Sequence, residues 1–404
     1  MARKQRRMTR SQMRDAQLVR ASRVDVPPRA DVCVVGGGAA GLVAGIVCAE
    51  RGSSVVVLER DLECGRTILA TGNGRCNMAN ATLDPECYND SEFVHAVCGN
   101  DWLQDVGRFF RDCGLAWTQE AGGRLYPMSR QAASVREVLL ERAGRASVVL
   151  APARTATAIR RTGSGFEMRF MDGFGNHAEW TLGTQRVVLA TGGNATLDLA
   201  RDLGLAASPF RPLLCPLTCE SMHVDLAALD GRRVHADAYL LRDGNLVARE
   251  SGEVLFRRYG ISGIAVFNLS RYAEVGDLLE LDLIPELSEN EAHELAARTL
   301  AGILDPVVAQ ALSETVGTSS AAVTLAKRLP LRITGLRTED GAQVRRGGLV
   351  CEQFDPTTLE AHSVPGFYAC GEALDVDGPC GGFNLAWAWK SGMVAGMATG
   401  GTSL

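Results

Sequence analysis

Residues 31–60 read DVCVVGGGAAGLVAGIVCAERGSSVVVLER, and the pattern is strand, glycine turn, helix, strand. Val32, Val34 and Val35, with Cys33 among them, form the short apolar run of a strand buried on both faces of a parallel sheet. Gly36, Gly38 and Gly41 then spell G-x-G-x-x-G, with Ala39 and Ala40 opening a helix between the last two glycines. The first glycine permits the sharp turn, the second lets a pyrophosphate approach the backbone, and the third lets the helix pack on the sheet. Free N–H groups and the positive dipole end of the helix face the phosphates. The next strand, Val55–Leu58, ends in Glu59, an acid at the spacing that accepts hydrogen bonds from an adenosine ribose. Glu59 argues against an NADP-type site, although Arg60 beside it is a cation within reach of an extra phosphate. A dinucleotide is therefore the expected ligand of this segment.

Bulk properties narrow the class. The chain has 404 residues, 46% of them hydrophobic, enough for two or three domains with sizeable cores. A net charge of −5 carries no general signal for nucleic acid or anionic membranes. The 12 cysteines include no C-x-x-C pair and no histidine cluster, so no metal site is expected, and a reducing, cytoplasmic location is. No apolar run reaches the roughly 20 residues of a membrane span. Residues 1–29 stand apart: nine Lys and Arg, among them Arg10, Arg14, Arg20 and Arg23, face only Asp15 and Asp25. They are expected to be a disordered basic tail lacking the apolar core of a targeting peptide, with nucleic-acid contact thinly supported.

Residues 64–77, CGRTILATGNGRCN, lack periodicity and follow the second strand directly. Such a loop can fold N–H groups around an anion or a polar ring edge, with Arg66, Gly74, Arg75, Cys76 and Asn77 as candidate cofactor contacts. Residues 91–114 read as an amphipathic helix, and residues 124–127 as an extended turn in which Tyr126 can face a substrate. Five strands are expected at 146–150, 155–160, 166–170, 177–182 and 185–189, the last running into Thr191 and Gly192, again backbone near a nucleotide. From residue 209 short strands near 217–219, 234–241 and 278–283 suggest a mostly β domain, and residues 287–328 are helical. The end of the chain returns to the first domain through a strand ending in Gly371 and Glu372. Asp377 follows, then Gly381, Gly382, Phe383 and Asn384, which open an apolar helix whose positive end suits a reduced flavin.

Taken together, residues 36–41, GNGRCN at 72–77, ATGG at 190–193, YGISG at 259–263, and GEALDVDG at 371–378 with GGFN at 381–384 resemble the BaiN/YhiN-type bacterial flavoproteins, described as NAD(P)/FAD-dependent or aminoacetone-oxidase-type enzymes. The resemblance spans about residues 31–398. It implies an α/β glutathione-reductase-type Rossmann FAD domain (30–205 and 346–404) interrupted by a β-barrel-like domain (206–286 and 329–345) and a small helical lobe (287–328). It implies one FAD, with Glu59 at the ribose, Gly371 and Glu372 near the ribityl-pyrophosphate, and the 75–77 loop and 381–384 turn near the isoalloxazine. Two departures stand out. Ile264 replaces the family's usual Pro, and Arg257-Arg258 replaces Thr-His, which argues for a different or anionic ligand.

The expected function is NAD(P)H-driven, FAD-dependent reduction of an enone-like or steroid-like C=C bond in a small-molecule substrate. Tyr126 and Tyr259 are the candidate proton donors, because a phenol can donate while uncharged before reaction. The alternatives are an oxygen-using amine or aminoketone oxidase and a flavin-bearing protein that binds or modifies RNA. Sequence leaves the oligomeric state open.

Overall fold

The computed structural model describes residues 9–337, 342 and 344–401. The chain forms two compact units, one running to Arg211 and resuming at Arg346, the other Pro212–Arg345.

The first unit is built on a seven-stranded sheet. Val149–Ala151, Val55–Leu58, Arg29–Val35, Glu179–Leu189 and Phe367–Ala369 run parallel in that order. Gly165–Asp172 and Arg154–Thr162 extend the sheet as an antiparallel arm beside Glu179–Leu189. Val32, Cys33, Val34, Val55, Val56 and Val57 are at most 3% exposed, as an apolar strand covered on both faces requires. Each such side chain contributes about 1.5–3 kcal/mol by leaving water. Helix Ala39–Glu50 and the C-terminal helix Phe383–Thr399 pack together through small residues: a Cβ on Gly392 would lie 2.5 Å from the Ala40 carbonyl oxygen, and one on Gly396 2.6 Å from that of Ala44.

Several elements differ from expectation for identifiable reasons. Arg10–Ser22, expected to be disordered, is a helix closed by a Thr9–Gln12 capping box and held by buried Ala21. The helix expected over 91–114 is two, Ser91–Cys98 and Trp102–Asp112, because Gly99 ends the first at φ +63. The strands expected at 177–182 and 185–189 are one continuous strand, Glu179–Leu189.

The second unit is a closed barrel of six antiparallel strands: Leu217–Glu220, Gly260–Ser262, Asn245–Arg257, Arg233–Arg242, Leu278–Asp282 and Leu329–Leu336. Asn245–Arg257, the longest, was not foreseen. Its middle, ARESGE, carries no apolar alternation. Helices Glu289–Ala296, Pro306–Val316 and Ser319–Lys327 form the helical lobe, broken at Pro306 and at Gly317 with φ +74.

Two carboxylates of this unit are expected to make it acid-sensitive. Asp237 accepts from Ser251 and from Arg249 at 2.6 Å, and Asp277 takes both Nε and Nη2 of Arg242 at 2.9 Å. The Ser251 hydroxyl, then Arg249, hold the Asp237 carboxyl below its ordinary value, and Arg242 does the same for Asp277. A depressed carboxyl binds fewer protons folded than unfolded, so its stabilisation is complete above the unfolded value of about 4 and is lost as pH falls through the folded one. Stability to urea should therefore drop steeply below about pH 4, and Asp277→Asn should flatten that dependence while lowering stability at neutral pH.

Candidate active site

The sheet register assembles the site. Val35 lies beside Leu58 on one side and Leu189 on the other, and Leu189 lies beside Ala369. Four strands thus end level, so Glu59, Gly36, residues 190–192 and Gly371 all leave from one carboxyl edge, where open α/β sheets bind ligands.

Close packing draws these turns together. Gly36 takes φ +105, and a Cβ on it would sit 2.7 Å from the Ala190 carbonyl oxygen. A Cβ on Gly41 would lie 1.9 Å from the Gly36 oxygen, and one on Gly371 2.8 Å from the Ala40 Cβ. Glu372 reaches across, its Oε2 lying 3.1 Å from where a Gly192 Cβ would be. Thr191 closes its turn through Thr196, whose hydroxyl donates to the Thr191 carbonyl at 2.6 Å. Glu59 accepts from the Gly37 and Asp61 N–H groups, both at 2.7 Å, one on each oxygen. Burial pushes its carboxyl upward against the pull of those two bonds. Arg60 and Arg66 are exposed, Arg66 standing 3.6 Å from Asp61.

Gly38 is different. Its backbone is extended, and among the described residues the only atom near a Cβ position is the Thr67 hydroxyl at 3.4 Å and no side chain caps the helix that follows. The first intrahelical bond there runs from Leu42 N to Gly38 O, so the N–H groups of Ala39, Ala40 and Gly41 come before it.

A second cluster lies within the same unit. In the 72–77 loop Gly72, Asn73, Gly74 and Cys76 all take left-handed φ, between +54 and +81. Arg75 stacks on the Tyr126 ring at 4.2 Å and bonds Glu120 at 2.5 Å, and Glu120 also takes Arg130 at 2.8 Å. Tyr126 is buried on strand Arg124–Pro127, and its hydroxyl makes no hydrogen bond to a described residue. Asn80 Nδ2 donates to the Gly122 and Gly381 carbonyls at 3.1 and 2.9 Å, and a Cβ on Gly382 would meet the Ala79 oxygen at 2.4 Å. The 72–77 and 381–384 motifs, about 300 residues apart in sequence, are therefore joined through residues 79–80. Asn80, Glu120 and Arg130 were not singled out from sequence. Asn80 lies three residues past the GNGRCN motif, whereas nothing in the sequence marked the other two.

Other expected contacts have internal partners. Asp377 is bound by Arg346 through two hydrogen bonds. The Asn384 carboxamide spans Gly378, accepting from its N–H and donating to its carbonyl, both at 2.8 Å. Phe383 is buried, and its carbonyl accepts from Tyr88 at 2.8 Å. Cys64 and Cys76 are buried thiols, pushed up by burial to about 12 and about 11. Tyr259 lies in the other unit, its ring covered by Arg337 at 4.2 Å.

Whether these residues fit FAD can be tested on two features. The uncapped helix beside an open glycine offers N–H groups to a pyrophosphate. Asn77 is 9% exposed, and its buried Oδ1 has no hydrogen-bond partner among the described residues. Both fit, and the fold with its carboxyl-edge site defines an FAD-binding α/β oxidoreductase with an inserted barrel.

The chain belongs to the HI0933-like family, whose HI0933-like protein Rossmann domain matches residues 30–398. Among characterised relatives, a 3-dehydro-bile acid delta(4,6)-reductase of Clostridium scindens is 33% identical, covering 90% of this chain and 98% of the relative. A ribosomal RNA dihydrouridine synthase of Escherichia coli is 26% identical, covering 90% and 96%. In fold, the chain is similar to an open flavocytochrome c3 fumarate reductase with TM-score 0.51 at 13% identity, covering 95% of this chain and 80% of that one. A 3-ketosteroid-delta4-(5alpha)-dehydrogenase from Rhodococcus jostii RHA1 matches with TM-score 0.50 at 16% identity, covering 94% and 98%. Among the described residues there is no cluster of potential metal ligands and no helix long and apolar enough to cross a membrane.

Proposed function

We propose that the chain reduces a carbon–carbon double bond conjugated to a carbonyl, with NADH or NADPH as the source of electrons. The observation that carries this reading is the similarity, over nearly their whole lengths, to two enzymes whose names both describe saturation of a ring double bond. A 3-oxo-steroid of the delta-4 type and a uracil present the same unit chemically, a C=C bond polarised by an adjacent carbonyl. Bound FAD would supply the hydride-transferring group, held by the helix N-terminus at residues 38–41 and by Glu59. The thiols favour direct reduction over a dithiol relay: Cys64 and Cys76 stay protonated at neutral pH and are poor nucleophiles.

Tyr126 is the proton donor we favour. Its hydroxyl has no partner among the described residues, and Arg75 fixes its ring. Tyr126→Phe should lower the rate of substrate reduction about 10²-fold or more while leaving reduction of the flavin by NAD(P)H unchanged. A variant that reduces substrate as fast as wild type would remove Tyr126 from this role.

The test is anaerobic. NADH or NADPH should bleach the flavin absorbance, and a 3-oxo-delta(4,6) bile acid should restore it. The second reading, reduction of uridine in ribosomal RNA, is favoured by the exposed basic helix Arg10–Ser22. An unmodified ribosomal RNA fragment as the reoxidant tests it in the same cuvette. A flavin reoxidised only by oxygen, or reduced only by an amine, would sink the reductase reading.

A further inference from the structure

We propose that the Asn77 carboxamide is the protein's hydrogen-bonding ligand for the polar edge of the flavin ring. The inference rests on the FAD reading above and assigns a specific contact within it.

Buried polar groups in native proteins are almost always paired. Asn77 departs from that rule. Asn77 is nine-tenths buried, and no described residue pairs with its Oδ1 or its Nδ2. An amide has a donor end and an acceptor end, and a half-turn of the group exchanges them. A ligand that satisfies both must offer an acceptor and a donor side by side. The flavin pyrimidine edge does so, with an N–H between two carbonyls.

The backbone around Asn77 is built to hold such a group still. Cys76 N donates to Thr71 O at 3.0 Å, and Met78 N donates to Leu125 O at 2.8 Å. Trp389 Nε1 donates to the Met78 carbonyl at 2.9 Å. Cys76, next to it, occupies a left-handed backbone conformation that a residue with a Cβ seldom adopts. Strain of this kind persists only where surrounding structure imposes it, and it concentrates at ligand sites. Two residues beyond Asn77, the chain touches the Gly381–Gly382 turn through Ala79 and Asn80. That turn opens the 17-residue helix Phe383–Thr399, with no side chain capping it. The segment that carries this amide is thus joined, two and three residues further on, to the turn that opens an uncapped helix, and both features suit a polar heterocycle.

Asn77→Leu and Asn77→Asp, each compared with the wild-type holoprotein and apoprotein, test the assignment. The leucine variant should bind FAD about tenfold more weakly. Its apoprotein should melt no lower than wild type, because the change removes an unpaired polar group rather than a hydrogen bond. The aspartate variant should shift the bound flavin to a more negative midpoint potential, since a carboxylate at the ring edge opposes the charge gained on reduction. Unchanged FAD affinity and flavin spectrum in both variants would overturn the proposal. So would a lowered melting temperature of the Asn77→Leu apoprotein, which marks a structural role. Wild-type protein that takes up no FAD would instead overturn the underlying FAD reading, and this contact with it.

Discussion

Gly41→Ala is expected to abolish FAD retention and to destabilise the chain by about 2–4 kcal/mol, at the upper end for a single methyl group. The added Cβ would stand 1.9 Å from the Gly36 carbonyl oxygen and 3.2 Å from the Ala190 Cβ. Neither neighbour can yield cheaply. Gly36 is fixed at φ +105 against Ala190, and its N–H bonds the Leu58 carbonyl at 2.8 Å. Relief requires the helix Ala39–Glu50 to move off the sheet, yet seven of its residues other than Gly41 are buried. The helix N-terminus would then no longer point at the pyrophosphate. Gly144→Ala supplies the control: in helix Ala132–Arg145 nothing lies within 4 Å of its Cβ position, so alanine should stabilise by about 0.5–1 kcal/mol. The ratio of flavin to protein absorbance after gel filtration, with a thermal melt of each variant, checks both. A Gly41→Ala protein that keeps stoichiometric flavin would show that the turn tolerates displacement.

The same geometry explains what sequence could and could not reveal. The glycine turn, the nucleotide helix and Glu59 were legible because each is local: the required conformation, close approach and spacing lie within residues 31–60. The barrel's strand Asn245–Arg257 was not, because its central residues, ARESGE, carry no apolar signature and none of them is buried. The helix Arg10–Ser22 was hidden by its composition. Its arginines suggested a solvated tail, while the signal that counted was the Thr9–Gln12 cap. At the site, sequence named candidate contacts but could not separate them from residues whose side chains hold the fold. Asn384 and Asp377 sit in a motif that resembles a flavin turn, yet in the fold their side chains hold Gly378 and Arg346. Asn77, from an equally suggestive motif, has no side-chain partner among the described residues. That distinction depends on which groups meet across about 300 residues of intervening chain, as the Asn80 side chain and the Gly381 carbonyl do.

Arg346→Met should be the most destabilising charge removal in the first unit, costing about 3–5 kcal/mol. The Asp377 side chain is 1% exposed, and Arg346 meets it with Nε to Oδ2 at 2.5 Å and Nη2 to Oδ1 at 2.9 Å. Methionine keeps much of the arginine's apolar stem but leaves a buried carboxylate without its cation. The reverse change, Asp377→Asn, should cost less, because Arg346 is 19% exposed and its guanidinium can reach water. The asymmetry is the diagnostic, and the double variant Arg346→Met with Asp377→Leu should recover part of the loss by removing both charges. The pair also positions the segment leading to the flavin turn. Asp377 N donates to Asn89 Oδ1 at 2.7 Å, and Gly347 N donates to Asp375 Oδ1 at 2.9 Å, so residues 375–378 are tied down on both sides of the ion pair. Releasing them loosens Gly378, which Asn384 grips, and with it the start of helix Phe383–Thr399. Arg346→Met should therefore weaken FAD binding as well as folding, and added FAD should restore less stability to it than to wild type. Urea unfolding of the three variants with and without FAD measures both effects. A loss below about 1 kcal/mol for Arg346→Met would mean that water or another partner already satisfies Asp377, and that the approach to the flavin turn does not depend on this pair.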